Sequence, residues 1–277
     1  MIEVIPLKYG VTFKRVFSDP AIFSQFASDV LGIPVQVEQV YTEYEYPETV
    51  GYVKIKYDLF AEDTAQRTII EVQHIHEEDF PSTGPGHRFN RFLYYHLIGL
   101  VEQVRGYSAY RFERTVYTIV VLTTVPHDED PQFSYAVSNM SPVNEQGAQV
   151  ELYPHRLVFL GPRSVNAQTP PRVRPWLELI ADSLDSQIEE ANYTSDMFQQ
   201  IIERMRRTTL SPAELSSIKD EAAWEETKQS ALAEGRAEGR KQEKLAIARD
   251  MQVADIEVAV IARVTGLTPT EIEQINP

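Results

Sequence analysis

The segments VKIKYDLF (residues 53–60) and RTIIEVQ (residues 67–73) decide the fold of this chain, because each has the pattern of a β-strand. In the first segment apolar and polar residues alternate, which places Tyr57 on one face and Asp58 on the other. The polar segment EDTAQ (residues 62–66) is short enough to be a hairpin loop. Antiparallel pairing therefore predicts that Asp58 and Glu71 lie close together on one sheet.

Two neighbouring carboxylates repel each other unless a cation lies between them. Mg²⁺ suits such a pair, because it binds one or two carboxylates and keeps water and phosphate as its other ligands. This is the chemistry of phosphodiester hydrolysis. The spacing alone equally allows a solvated hairpin, whose outward face would carry the polar residues Lys54, Lys56, Asp58, Glu71 and Gln73. The apolar neighbours of both acids favour central strands instead.

The composition predicts a globular protein with 43% hydrophobic and 10% aromatic residues among 277. Cysteine is absent, which excludes disulfides and zinc sites built on thiolates. The longest apolar run, VYTIVVLTTV (residues 116–125), is too short to span a bilayer, and the first residues lack an export signal. We therefore expect a cytoplasmic protein without membrane contacts or an organic cofactor.

The net charge of −15 is unusual for a protein that binds nucleic acid, but it is unevenly distributed. Residues 1–125 carry 16 acids and 11 bases, a net of −5, whereas residues 176–277 carry 20 acids and 11 bases, a net of −9. Phosphate binding depends on local patches and bound metal. The charge therefore predicts modest affinity and a need for divalent cations.

Alternating helical and strand patterns predict an α/β domain, with a helix over residues 12–31 that is interrupted at Asp19-Pro20, strands over residues 35–40 and 116–124, and a helix over residues 91–110. The proline-rich stretch NAQTPPRVRP predicts a linker, and the residues after it have helical patterns. The predicted organisation is an α/β domain (1–165), a linker (166–175), a helical region (176–232), a charged tether weakened by two glycines (233–249) and a small module (250–277).

The terminal module has the form of a helix-turn-helix, with an apolar stripe, a turn at Gly266 and a helix that begins at the capping box Thr268-Pro269-Thr270-Glu271. Ser211-Pro212-Ala213-Glu214 is a second such box. Because the last helix is acidic and offers no Arg or Lys to base edges, dimerisation or packing is favoured over reading of DNA.

The chain resembles the recombination-promoting nuclease and putative transposase family, within the PD-(D/E)XK nuclease superfamily. The resemblance rests on YGVTFKRVF, Asp58, Glu71-Val72-Gln73 and RFLYY (residues 91–95), and resumes in the glycine-spaced tether and TGLTPTEI. It implies a restriction-endonuclease-like mixed sheet flanked by helices and an Mg²⁺-dependent DNA endonuclease, associated with recombination or mobile elements.

By this resemblance Asp58 and Glu71 are metal ligands, the Val72 carbonyl adds a ligand, and Gln73 takes the place of the superfamily's catalytic lysine. A glutamine amide orients water but carries no charge. Lys56 could supply that charge, or it is a surface lysine. Where family members have an acid near the start of the first helix, this chain has Gly10, and its Pro/Gly-rich loop at residues 81–86 is extended.

Other residues near the predicted site have two interpretations. Arg88 and Arg91 could contact phosphate, or they could pair with the acids of residues 77–79. His74 and His76 could bind a transition metal, although solvated histidines are favoured. The tyrosines of the RFLYY motif are expected to pack in the core.

The resulting hypothesis is a DNA endonuclease that acts as a homodimer. Its two acids suffice for one Mg²⁺, with Mn²⁺ as a substitute. The alternative is a catalytically weakened or inactive protein with a nuclease fold, which dimerises through its helical tail.

Overall fold

The computed structural model describes residues 1–45, 55–73, 89–104, 112–123, 133–138, 140–153 and 155–275. The chain forms two compact units, Met1–Leu215 and Ser216–Pro277. The described elements of the first unit are, in chain order, β1 (Ile2–Glu3), α1 (Gly10–Phe17), α2 (Pro20–Leu31), β2 (Tyr41–Tyr44), β3 (Tyr57–Glu62), β4 (Gln66–Gln73), α3 (Asn90–Val101), β5 (Thr115–Leu122), β6 (Tyr135–Ser138), β7 (His155–Leu160), α4 (Arg174–Asp182), β8 (Gln187–Ile188) and α5 (Asp196–Met205).

Six of these strands form one mixed sheet in the order β2-β3-β4-β5-β7-β6. Strands β2, β3 and β4 are antiparallel, β4, β5 and β7 are parallel, and β6 returns antiparallel to β7. The prediction of an α/β fold with a mixed sheet and flanking helices is therefore confirmed. Both β3 and β4 have a strand on each side, so the two strands that carry Asp58 and Glu71 are central.

The predicted hairpin forms between β3 and β4, with Leu59 opposite Ile70 and Glu62 opposite Arg67. Asp63 closes the loop, because its Oδ1 accepts hydrogen bonds from the backbone N–H groups of Ala65 (2.6 Å) and Gln66 (2.7 Å). An aspartate that binds the backbone two or three residues ahead is a strong turn former.

The interruption predicted in the first helix is also observed. Asp19 separates α1 from α2 and caps α2, since its Oδ1 accepts from the N–H groups of Ala21 (2.9 Å) and Ile22 (3.2 Å). Pro20 occupies the first turn of α2, where no N–H is needed. Gly32 ends that helix in the left-handed conformation with φ of 71°.

The strand predicted over residues 35–40 is wrong. The serine hydroxyls of α2 bind this segment instead: Val35 N–H donates to Ser28 Oγ (2.8 Å) and Val37 N–H to Ser24 Oγ (3.2 Å). Both valines are buried. Their hydrophobic alternation therefore serves packing along the helix, and the edge strand starts only at Tyr41.

The first unit extends beyond the boundary predicted near residue 165, and α4 begins inside the predicted linker. Trp176 of α4 packs edge-on against Phe26 of α2, with ring centroids 5.1 Å apart. Ile202 of α5 belongs to the same buried cluster. The prediction of a wholly helical segment is wrong at β8, which pairs with β1 at the start of the chain. Apolar burial thus joins the first helices of the tail to the sheet domain.

Helix α3 is tied to the sheet by a chain of buried histidines. Met140 N–H donates to His155 Nε2 (3.2 Å), so the neutral ring of His155 carries its hydrogen on Nδ1. That hydrogen is donated to His96 Nε2 (2.8 Å), and His96 Nδ1 then donates to Thr118 Oγ1 (2.8 Å). Burial, followed by repulsion from His155 when that ring is also protonated, lowers the pKa of His96 to about 3.

This network predicts a stability that falls with acid. In the unfolded chain His96 takes up a proton near pH 6.5, whereas in the folded protein it does so only near pH 3, so unfolding binds a proton between these values and stability falls as the pH drops through this window. The slope is at most about 1.4 kcal/mol per pH unit for one such group. Urea denaturation at several pH values from 7 to 4 should show that the free energy of unfolding falls less steeply with acid for His96→Leu than for the wild type. An equal dependence on pH in the two proteins would contradict the network.

The second unit is helical and contains most of α6 (Pro212–Val253), together with α7 (Val258–Thr265) and α8 (Pro269–Glu273). Helix α6 continues through the segment predicted as a tether, because Ala, Glu, Arg, Lys and Gln are good helix formers and outweigh two glycines. A small core unites α6, α7 and α8 through Ala248, Ile261, Leu267, Ile272 and Ile275.

Both predicted capping boxes are present. Glu214 N–H donates to Ser211 Oγ (3.3 Å) and Ser211 N–H to Glu214 Oε2 (2.8 Å), and Thr268 and Glu271 repeat the arrangement. Gly266 forms the predicted turn with φ of 68°. Of the expected apolar stripe, Ile261 is buried but Val264 is 59% exposed. Within the described ranges, no helix has the length and apolar character needed to cross a membrane.

Candidate metal and phosphate site

The register of three strands aligns three acids in one row across the sheet. On β2 and β3, Thr42 lies opposite Leu59 and Tyr44 opposite Tyr57, which places Glu43 opposite Asp58. On β3 and β4, Leu59 lies opposite Ile70, and one step further along this register Asp58 faces Glu71. Directly opposed residues of antiparallel strands share a face of the sheet. The structure therefore brings Asp58 and Glu71 together.

Each acid of the pair is held by the backbone of the other strand. Asp58 N–H donates to Glu71 Oε1 (3.1 Å), and Val72 N–H donates to Asp58 Oδ2 (3.0 Å). The regular pairing of β3 with β4 ends at Leu59 and Ile70, and beyond it the carboxylates take the place of backbone acceptors. The two side chains are thus fixed across the hairpin, and each keeps a second oxygen for another partner.

Burial and mutual repulsion make this pair costly to ionise. Glu71 is 3% exposed and Asp58 is half-buried. Burial raises the pKa of Asp58, and burial together with the charge of Asp58 raises the pKa of Glu71 well above its usual range. The backbone N–H donors act in the opposite direction but are outweighed. A pair of this kind either retains a proton or binds a cation.

Positive side chains from two helices act on the charge of the pair. The charges of Lys14 on α1 and Arg91 on α3 both lower the pKa of Asp58 and the pKa of Glu71, against the larger effect of burial. Arg91 is exposed in the first turn of α3, with its guanidinium 4.8 Å from the centre of the Phe92 ring. Two cations from two helices thus act on the pair, and one of them, Arg91, is exposed to solvent.

Glu43 is bound by two lysines. Lys14 Nζ lies 2.7 Å from Glu43 Oε1, and Lys56 Nζ lies 2.6 Å from Glu43 Oε2. The hydrogen bond from Lys14, followed by that from Lys56, lowers the pKa of Glu43 to about 2. Glu43 has φ of 54°, which is unusual for a residue other than glycine. Sequence analysis missed both Glu43 and Lys14 as site residues; the lysine lies in the quoted motif YGVTFKRVF, but its neighbours at the site depend on the strand register.

The donor set of the acid pair fits a single divalent cation. Within the part of the chain that the structure describes, no group of three or more His, Asp or Glu side chains converges on one point. Asp58 and Glu71 supply two carboxylates, and Mg²⁺ is commonly held by one or two carboxylates with water and phosphate as the remaining ligands. The pair thus fits one Mg²⁺ or Mn²⁺. Glu43 is not counted among the ligands, because each of its carboxylate oxygens is paired with a lysine.

The other predicted site residues differ in their contacts. Val72 contributes its N–H to Asp58, and a ligand role for its carbonyl stays a prediction. Gln73 is the last residue of β4 and lies beside Leu122 of β5. Lys56 is exposed and paired with Glu43, as a surface lysine would be. Gly10 is the first residue of α1.

Several predicted features lie outside the described residues, namely Arg88, His74, His76 and the loop at residues 81–86. Tyr94 and Tyr95 pack against the small core beside β3, as predicted. Burial, followed by the charge of Glu71, raises the pKa of Tyr95, so its phenol remains protonated near the pair.

Neither family models, nor curated proteins, nor solved structures give a match to this chain. The interpretation of the site therefore depends on its own residues and geometry.

Replacing Glu71 by Gln should stabilise the metal-free protein. The amide oxygen can still accept from Asp58 N–H, while the buried charge and its repulsion with Asp58 are lost. Because the pKa of Glu71 is raised on folding, the folded protein binds more protons, and stability falls as the pH rises above 4.5. In EDTA at pH 8, urea denaturation should show Glu71→Gln to be more stable than the wild type by about 1 kcal/mol or more.

If Mn²⁺ binds the acid pair, it should raise the free energy of unfolding of the wild type, and Glu71→Gln should remove this stabilisation. Glu62→Gln on the same hairpin is a suitable control, because Glu62 pairs with Arg67 and lies outside the acid pair. A Glu71→Gln protein that is less stable than the wild type in EDTA at pH 8 would contradict the claim that burial and repulsion destabilise the charged pair.

Proposed function

We propose that this chain is a metal-dependent DNA endonuclease of the PD-(D/E)XK type, in which Asp58 and Glu71 bind Mg²⁺. The observation that supports this best is the pair of carboxylates on adjacent central strands, one buried and one half-buried, each fixed by the other strand's backbone. Such a pair is unfavourable without a cation. A role in structure alone would be served better by apolar residues at the same positions.

The protein residues would bind and orient the reacting groups. Asp58 and Glu71 would hold the metal ion, and Gln73 would orient the attacking water through its amide. When bound, Mg²⁺ neutralises charge on the phosphate oxygens and makes water more acidic. In the overall reaction, one water adds to phosphorus, one phosphorus–oxygen bond to the leaving alkoxide breaks, and the products are a phosphate monoester and an alcohol.

The distribution of charge supports a polyanionic substrate at this site despite the net charge of −15. The charges of Lys14 and Arg91 both act on the acid pair. A local group of cations together with a divalent ion can bind phosphate on an acidic protein. DNA is the substrate that the family resemblance implies, in recombination or in the movement of mobile elements.

A second candidate is a nuclease-like protein with weak or no catalysis, which associates through its helical tail. Two observations favour it: Gln73 is neutral where a lysine is usual, and the second unit exposes apolar side chains, including Trp224 (70%) and Val253 (72%). Exposed apolar residues on a helical unit are typical of association surfaces.

Cleavage of supercoiled plasmid separates the two candidates. With Mg²⁺ or Mn²⁺ the wild type should nick or linearise DNA, and EDTA should abolish this activity. Asp58→Asn and Glu71→Gln should each reduce the rate at least about 100-fold, since losing even a residue that only supports a metal ligand costs about 10- to 100-fold. Asp63→Asn at the far end of the hairpin is the matched control, because asparagine also forms the turn.

The second candidate predicts that calorimetry detects no binding of Mg²⁺ or Mn²⁺ while light scattering shows a stable dimer. A dimer alone does not decide between them, because nucleases that cut both strands are often dimeric. Full cleavage by Asp58→Asn and Glu71→Gln would show that the acid pair is not the site.

A further inference from the structure

We propose that Lys14 is the phosphate-contacting cation of this site and takes the role that the neutral Gln73 cannot perform. This inference rests on the proposed nuclease function and deepens it. It also assigns Glu43 as the residue that positions Lys14.

The position of Lys14 is set by the packing of α1. Thr12, Phe13, Val16 and Phe17 on this helix are buried, whereas Lys14 lies at the edge of that buried face with 20% of its side chain exposed. Its Nζ donates to Glu43 Oε1 at 2.7 Å. Glu43 stands opposite Asp58 in the row of acids, so the ammonium group binds one acid of this row.

The charge of Lys14 acts on both acids of the pair. It lowers the pKa of Asp58 and the pKa of Glu71, in keeping with its hydrogen bond to Glu43, which stands opposite Asp58. Lys56 differs from it, because its side chain is 52% exposed and its main partner is Glu43. Lys14 is therefore better placed than Lys56 to meet a phosphate that is bound at the pair.

The ammonium group of Lys14 suits the contact chemically. It has three donors, and the hydrogen bond to Glu43 uses one of them. A phosphate oxygen that gains charge during hydrolysis is stabilised most by donors that are already in place. Gln73, whose amide has no charge, cannot supply this electrostatic stabilisation.

Glu43 is held in an unfavourable backbone conformation at this position. Its φ of 54° lies in the left-handed region, where a residue other than glycine is strained. Its carboxylate binds Lys14 on one oxygen and Lys56 on the other. This arrangement fixes the ammonium of Lys14 beside the row, so we assign Glu43 as a positioning residue.

The test compares Lys14→Met, Lys14→Arg, Glu43→Gln and Lys56→Met with the wild type. For Lys14→Met we expect kcat for cleavage to fall about 100-fold or more, as for the loss of one preplaced donor, with KM changed less than kcat. Lys14→Arg should recover part of the rate, because the charge is retained. Glu43→Gln should lower kcat less than Lys14→Met, and Lys56→Met should cost under about fivefold, since an exposed ion pair contributes little.

Two readouts do not depend on cleavage. Calorimetry should show that Lys14→Met still binds Mn²⁺ within about threefold of the wild type, because Lys14 is not a metal ligand and its ammonium is partly screened by Glu43. In EDTA, the logarithm of the binding constant for a short DNA duplex should fall less steeply with the logarithm of the salt concentration for Lys14→Met than for the wild type. The slopes should differ by about 0.9, the value for one lost phosphate contact. Thermal unfolding checks that each variant is folded. If Lys14→Met does not fold, Lys14→Gln takes its place, because glutamine also lacks the charge but keeps a polar end.

The failure of this inference is distinct from that of the proposed function. If the wild type cleaves in an Asp58-dependent manner and Lys14→Met cleaves equally well with an unchanged salt slope, Lys14 has no such role and the nuclease assignment stands. If the wild type does not cleave DNA with Mg²⁺ or Mn²⁺, both are overturned.

Discussion

The exchange of hydrogen bonds between two strands and two carboxylates is the interaction on which the candidate site depends. Asp58 N–H binds Glu71, and Val72 N–H binds Asp58, at 3.1 and 3.0 Å. These bonds hold two acids side by side where burial and repulsion both oppose their ionisation. The strands that carry the two acids must therefore be central, since an edge strand would leave the pair in water, where the repulsion between the carboxylates is weak.

The surrounding elements are arranged around this pair. Helix α1 brings Lys14 from one side, and α3 brings Arg91. The orientation of α3 is fixed by the neutral chain His155–His96–Thr118, which fastens the helix to β5 and β7 without introducing another charge. Positive charge at the site thus comes from helix side chains, whereas the carboxylates come from the sheet.

Local chemistry made much of this fold predictable from sequence. The hairpin could be located because a short polar segment separates two strand-like segments, and the structure shows that Asp63 forms its turn. Both capping boxes are recognisable from Ser or Thr placed three residues before Glu. The acid pair could be located because the hairpin sets its register.

Long-range contacts could not be predicted in the same way. The strand expected over residues 35–40 is replaced by hydrogen bonds to Ser24 and Ser28, and a strand pattern does not reveal such competition. Glu43 escaped notice because its place beside Asp58 depends on the pairing of β2 with β3. Trp176 joins the sheet domain through aromatic packing with Phe26, a residue far earlier in the chain, which no local pattern encodes.

The most direct test of the central claim is a crystal structure of the protein grown with saturating Mn²⁺, with diffraction data collected at the manganese absorption edge. We predict an anomalous peak bridged by the Asp58 and Glu71 carboxylates, and no such peak in crystals of Glu71→Gln grown in the same way. A map without a peak between these two side chains in the wild type would contradict the assignment of the pair as a metal site.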